Sequence, residues 1–190
     1  FAFVIVTIYL LLKGIRAKMS FLGKVKKKLR NGSWYPFYNT FYEKNNLDPH
    51  MILLESRSGK ALESNILSLL KELCQEPYRS FTLVLSVHRD SENEIKEKLQ
   101  KNSIQGVHFV RTGSVAYYRA LSRAGYLVND TSFPGRFIKK EGQIYLNTWH
   151  GTPLKKMGRD NRPEMVTMGN VQRNLLDSDY LVFPNQFMEE

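Results

Sequence analysis

From Asp48 onward the chain alternates short apolar runs with segments long enough for a helix, and no other feature narrows its fold as much. The runs MILLE (51–55), FTLVLSV (81–87), VHFV (107–110), YLVN (126–129), IYLNTW (144–149) and YLVF (180–183) read as buried strands. Helix-like segments lie between most of them, at 61–74, 91–101, 114–124 and about 165–177. Successive parallel strands need a crossover of a dozen or more residues, which this spacing supplies. The pattern predicts an α/β fold, a Rossmann-like parallel sheet flanked by helices. Residues 131–143, TSFPGRFIKKEGQ, break the alternation, and their Gly and Pro mark a loop.

A chain of 190 residues, 42% of them hydrophobic, suffices for one domain with its own core and leaves little for a second. Residues 48–190 are assigned to that domain. The single cysteine, Cys74, has no partner for an internal disulfide. It points to a reducing compartment, and to a core thiol rather than a nucleophile.

Charge divides the chain unevenly. Residues 1–42 hold eight Lys and Arg and no acid, while residues 43–190 hold the other 20 basic residues against all 18 acids. The eight are Lys13, Arg16, Lys18, Lys24, Lys26, Lys27, Lys28 and Arg30, and they follow an uncharged run of twelve, FAFVIVTIYLLL. A spanning helix needs about 20 apolar residues. A signal peptide places its charges before the apolar run, not after it. Lys and Arg directly after an apolar segment mark the cytoplasmic side and attract anionic head groups. Residues 1–47 are therefore expected to associate with the cytoplasmic face of the cell membrane, peripherally or through an N-terminal anchor. Nucleic-acid binding by the same lysines and Trp34, Tyr35, Phe37 and Tyr38 is disfavoured by the adjacent apolar run.

In open α/β sheets ligands gather at the carboxyl ends of the strands. One segment there combines several chemical groups, NTWHGTPLKK (147–156). With IYLNTW as a strand, His150 stands at its end and Gly151 permits a sharp exit. Thr152 then reads as a helix N-cap and Pro153 as the first helical residue. A helix N-terminus attracts phosphate, and Lys155 and Lys156 near that end suit a bound anion better than an empty helix. Histidine adds a group that takes a proton at neutral pH. Together these parts suit deprotonating a hydroxyl beside a phosphate. A strand-end histidine bonded to a backbone carbonyl, with lysines on a solvated face, accounts for the same residues equally well.

Other candidates are weaker. Arg57, Ser58, Gly59 and Lys60 form either a loop facing an acceptor or a plain connection. Asn129, Asp130 and Ser132 are as readily turn formers as ligands, and Arg136, Lys139 and Lys140 read as a basic surface. His88-Arg89-Asp90 spells the start of a kinase catalytic loop, but Ile95 stands where that loop needs Asn and no Gly-rich phosphate loop precedes it. A kinase is excluded. The four histidines, at 50, 88, 108 and 150, lack metal-ligand spacing, so no metal is expected.

The longer stretch YLNTWHGTPLKKMG (145–158) closely resembles the signature of the CDP-glycerol glycerophosphotransferase family. These enzymes prime and polymerise the poly(glycerol phosphate) or poly(ribitol phosphate) chains of teichoic acids. ESRSGK (55–60), residues 117–146 and QRNLLDSDYLVFPNQF (172–187) resemble further family elements in the same order. The resemblance implies a two-domain glycosyltransferase-B-like architecture, with an acceptor-side N-terminal domain and a C-terminal domain that binds the CDP-alcohol. It implies His150 as general base, with Gly151, Thr152, Pro153, Lys155, Lys156, Arg57, Ser58 and Gly59 near substrate or phosphate. The donor would be CDP-glycerol, with no cofactor, and the acceptor a lipid-linked polyprenyl diphosphate at the membrane. The C-terminal nucleotide-binding domain falls outside these residues, so the chain is expected to be a fragment inactive alone. The alternatives are a ribitol-phosphate or capsule-polymer transferase, or a non-catalytic lipid-binding domain of the same fold.

Overall fold

All six apolar runs form strands, and the strands lie in one sheet. They are β1 (Asp48–Glu55), β2 (Thr82–Val87), β3 (His108–Arg111), β4 (Ala124–Asn129), β5 (Ile144–Asn147) and β6 (Tyr180–Leu181). A computed structural model describes residues 38, 40–135, 137–152, 168–183 and 185–186. Four helices follow the strands they were expected to follow: α1 (Ser64–Leu73), α2 (Glu92–Lys101), α3 (Val115–Arg123) and α4 (Gly169–Asp177). Every strand pair is parallel and the order is β3-β2-β1-β4-β5-β6. The chain thus steps outward from β1 to β3, then returns through α3 to place β4 on the other side of β1. That reversal opens a crevice beyond the carboxyl ends of β1 and β4, where sheets of this order bind ligands.

Strand alternation sorts the side chains between two faces. Ile52 and Leu54 of β1, Leu83, Leu85 and Val87 of β2 and Val128 of β4 pack with Ile66 and Leu70 of α1 and Ile95 and Leu99 of α2. Leu53, Val84, Leu127 and Tyr145 point the other way, to Tyr117, Ala120 and Leu121 of α3 and to Phe133 and Phe137 of the 131–143 loop. Burying each of the Val, Leu, Ile and Phe side chains among them contributes about 1.5–3 kcal/mol. Asn174 of α4 reaches the second face as well, accepting from the Phe133 N–H at 2.8 Å. Packing extends ahead of Asp48, because Tyr38 is buried in the second cluster and its hydroxyl donates to the Ile138 carbonyl at 2.8 Å.

Some boundaries shift. β5 ends at Asn147 rather than Trp149, since Trp149 adopts a left-handed backbone with φ 50° and turns away from the sheet. β4 begins at Ala124, straight from the end of α3, so helix and strand share no connecting loop. β6 is short, although the Val182 N–H still donates to the Asn147 carbonyl at 2.9 Å. The basic residues from Lys13 to Arg30 and the apolar run before them lie outside the described residues. Among the described residues no helix is long and apolar enough to cross a membrane.

Candidate active site

The crevice is built from three chain exits, those of β1, β4 and β5. At the end of β5, the Asn147 side chain accepts from the Trp149 N–H at 2.9 Å, a local turn that supports the left-handed Trp149. Gly151 follows with φ 132°, where L-residues are strained, and among the described residues nothing lies within 4 Å of where its Cβ would stand. The glycine serves the torsion of the turn. Between the two, His150 is exposed, with its ring against Trp149 at a centroid distance of 4.6 Å.

At the end of β1, Arg57, Ser58 and Gly59 are left-handed in succession, with φ 49°, 55° and 77°. Gly59 is buried, and a Cβ there would stand 2.9 Å from the His88 nitrogen, so only glycine fits beneath the β2 exit. Arg57 and Ser58 stay exposed. The Arg57 guanidinium bonds Glu63 at 3.3 Å, an exposed pair of small energetic weight.

Asp130, after β4, joins these two exits. Its carboxylate accepts from the Ser56 hydroxyl at 2.7 Å and from the Arg57 N–H at 2.8 Å. Its carbonyl oxygen lies 2.7 Å from His150 Nδ1. A carbonyl oxygen has no hydrogen to give, so in the neutral ring Nδ1 carries it. The opposite nitrogen, Nε2, is left with a lone pair able to accept a proton. His150 is thus bonded to a backbone carbonyl, as the plainer reading of a strand-end histidine expects, and the same bond leaves Nε2 as the ring nitrogen with the lone pair.

Other expected site residues are placed as follows. Thr152 is exposed, and its hydroxyl accepts from the Asn185 side chain at 2.6 Å. Pro153, Lys155 and Lys156 lie outside the described residues. Lys139 pairs with Asp179 at 2.5 Å, and Asp179 also accepts from the Tyr145 N–H at 2.7 Å, so Lys139 braces the β5–β6 connection. Among the described residues no three His, Cys, Asp or Glu side chains gather as metal ligands would.

The family model for CDP-Glycerol:Poly(glycerophosphate) glycerophosphotransferase matches residues 37–190. The chain belongs to this family. The teichoic acid poly(glycerol phosphate) polymerase of Staphylococcus epidermidis is 30% identical over 160 residues, 80% of this chain and 21% of that protein. Its namesake from Bacillus subtilis is 26% identical over 185 residues, 91% of this chain and 24% of the relative. This glycerophosphotransferase-family chain thus spans about a fifth to a quarter of those two curated relatives. Among solved structures, a variant of the wall teichoic acid polymerase TagF soaked with CDPG is similar with a TM-score of 0.66 at 26% identity, over 91% of this chain and 42% of that one.

Sequence reasoning missed Glu55, the last residue of β1. Its side chain is 1% exposed, and Oε2 has no hydrogen-bond partner among the described residues. Burial pushes its carboxyl up to about 7, the Asp130 charge adds to this, and Ser86 and Tyr117 act in the opposite direction. A glutamate closing an otherwise aliphatic strand, LLE, was the available signal.

Proposed function

We propose that this chain is the acceptor-side part of an enzyme that transfers glycerol phosphate from CDP-glycerol to the terminal hydroxyl of a lipid-linked acceptor in teichoic acid synthesis. His150 Nε2 takes the hydroxyl proton while that oxygen forms a bond to the β-phosphorus of CDP-glycerol. The bond from that phosphorus to the bridging oxygen breaks, and CMP leaves with the electron pair. The observation that carries this reading is the 2.7 Å contact between His150 Nδ1 and the Asp130 carbonyl, which leaves Nε2 as the free acceptor at an exposed strand end.

The donor is bound by a second, nucleotide-binding domain in a glycosyltransferase-B-like arrangement, and this chain alone is inactive. Arg57 and Ser58 flank the acceptor, and Lys155 and Lys156 neutralise phosphate charge. The basic N-terminal segment holds the enzyme at the cytoplasmic face beside its polyprenyl diphosphate acceptor. Membership of the family supports the donor and reaction class, and the charge distribution of residues 1–42 supports the membrane site.

The test is transfer of radiolabelled glycerol phosphate from CDP-glycerol to a synthetic lipid-linked acceptor by the full-length protein and its His150→Ala variant. The variant should lose about a hundredfold or more of turnover with its fold intact. Equal turnover in both removes His150 as the base. No transfer by either protein favours another donor or a lipid-binding module.

A further inference from the structure

Asp130 uses both of its polar ends on loops that the proposed reaction needs in register. Its carboxylate is 4% exposed and holds Ser56, itself 1% exposed, and the Arg57 N–H. Such shielded bonds to an ionised group are among the stronger kinds. They fall where the chain is strained, since Arg57 and Ser58 are left-handed without being glycine. Strain of that kind persists only where the surroundings over-determine it. On the far side, the Asn147 amide donates to the Thr131 carbonyl at 3.0 Å, tying the residue after Asp130 to the base of the His150 turn. The peptide carrying the Asp130 carbonyl is thus fixed from both directions.

We infer that Asp130 is a positioning residue for His150: its carboxylate, clamped on Ser56 and Arg57, holds its own carbonyl where it keeps the imidazole hydrogen on Nδ1. The consequence for turnover rests on His150 acting as the base, whereas the consequence for the tautomer does not. Which ring nitrogen bears the hydrogen is set by the bond the other one makes. Without the clamp the carbonyl drifts, the hydrogen moves to Nε2, and the lone pair faces away from the acceptor. The glycerophosphotransferase reading supplies the hydroxyl, and Asp130 decides whether the imidazole is in the state to deprotonate it.

The experiment compares Asp130→Ala, Asp130→Asn and Ser56→Ala with the unaltered full-length protein, with His150→Ala for reference. The tautomer is read by nuclear magnetic resonance of isotope-labelled histidine rings, and turnover by the transfer assay. The unaltered protein should carry the neutral-ring hydrogen on Nδ1, and Asp130→Ala should move it to Nε2. Turnover in Asp130→Ala should fall about tenfold in kcat, with KM for the acceptor changed by less than about twofold. Asp130→Asn should restore both readouts, because Oδ1 still accepts from Arg57 and Nδ2 can donate to Ser56 Oγ.

An Nε2 hydrogen in the unaltered protein overturns the inference. So does an unchanged tautomer in Asp130→Ala, or an Asp130→Asn variant as impaired as Asp130→Ala. If Asp130→Ala does not fold, Ser56→Ala removes one of the two clamp bonds and must shift the tautomer in the same direction; no shift there overturns it too. A tautomer that moves as expected while His150→Ala retains full turnover leaves the clamp standing and removes the general base.

Discussion

The two faces of the sheet are made of different material. The buried side chains of the first are aliphatic, Ile, Leu and Val from β1, β2 and β4 meeting Ile and Leu from α1 and α2, with Phe81, Phe109 and Tyr126 only partly buried against them. The second carries five fully buried aromatic residues, Tyr38, Tyr117, Tyr145, Phe133 and Phe137. By strand alternation Glu55, Ser86, Asn129 and Asn147 point to that same face, at the carboxyl ends beneath the crevice. Glu55 Oε2 and Asn129 Nδ2, two of the buried atoms without a hydrogen-bond partner among the described residues, belong to it. The first face needs only volume and shape. The second must satisfy each polar atom as well, and it is the one that supports the residues around His150.

The comparison is tested most severely by a truncation on the first face. Leu85 is 1% exposed in the centre of β2, so Leu85→Ala leaves a cavity that neighbouring strands and helices cannot close. We predict a loss of about 2–5 kcal/mol in urea unfolding, the same at every pH. A loss below about 1 kcal/mol would mean the aliphatic face is loosely packed, and the contrast with the second face would fail.

Glu55 tests the opposite property, dependence on pH. Its carboxyl is raised from near 4.5 to about 7, mainly by burial, so between those values the folded chain keeps a proton that the unfolded chain has lost. Stability therefore falls as pH rises through this window and levels off above it. The full difference is about 3 kcal/mol. Glu55→Gln, neutral throughout, should gain on the unaltered protein by up to that amount between pH 5 and pH 8 in parallel unfolding titrations. Parallel curves would show that Glu55 ionises as freely in the folded protein as in the unfolded one.

How much of this was legible follows the same division. The six strands, the parallel sheet and the helices were readable because aliphatic runs and helix periodicity are local signals, and the buried part of the first face is built from them. The place of His150 just beyond a strand end was readable because it lies in one continuous segment with Gly151 and Thr152. Asp130 was not separable from an ordinary turn former, since its three bonds go to residues 20 to 74 positions away. Trp149 gave no sign that it would leave the strand, because its left-handed backbone depends on the Asn147 side chain two residues before it. Residues 57–59 read as a loop, but not as three left-handed residues of which the glycine is the buried one.

The smallest effect comes from one hydroxyl on the second face. Tyr145 OH lies 2.9 Å from Asn129 Oδ1, 3.3 Å from Asn174 Oδ1 and 3.3 Å from Asn147 Nδ2. With one hydrogen to give, it donates best to Asn129, the shortest contact. Asn174 Oδ1 keeps the Phe133 N–H and Asn147 Nδ2 keeps the Thr131 carbonyl, so Tyr145→Phe strands neither of them. Asn129 differs, because its Nδ2 is already unpaired among the described residues, and loss of the hydroxyl leaves its whole buried amide without a partner. We predict a cost of about 1–2 kcal/mol for Tyr145→Phe. In a double-mutant cycle with Asn129→Ala, most of that cost should disappear, since the stranded group is then gone. Additive losses would mean that the hydroxyl acts through Asn147 or Asn174 instead, and would shift the polar centre of the second face from β4 toward β5 and α4.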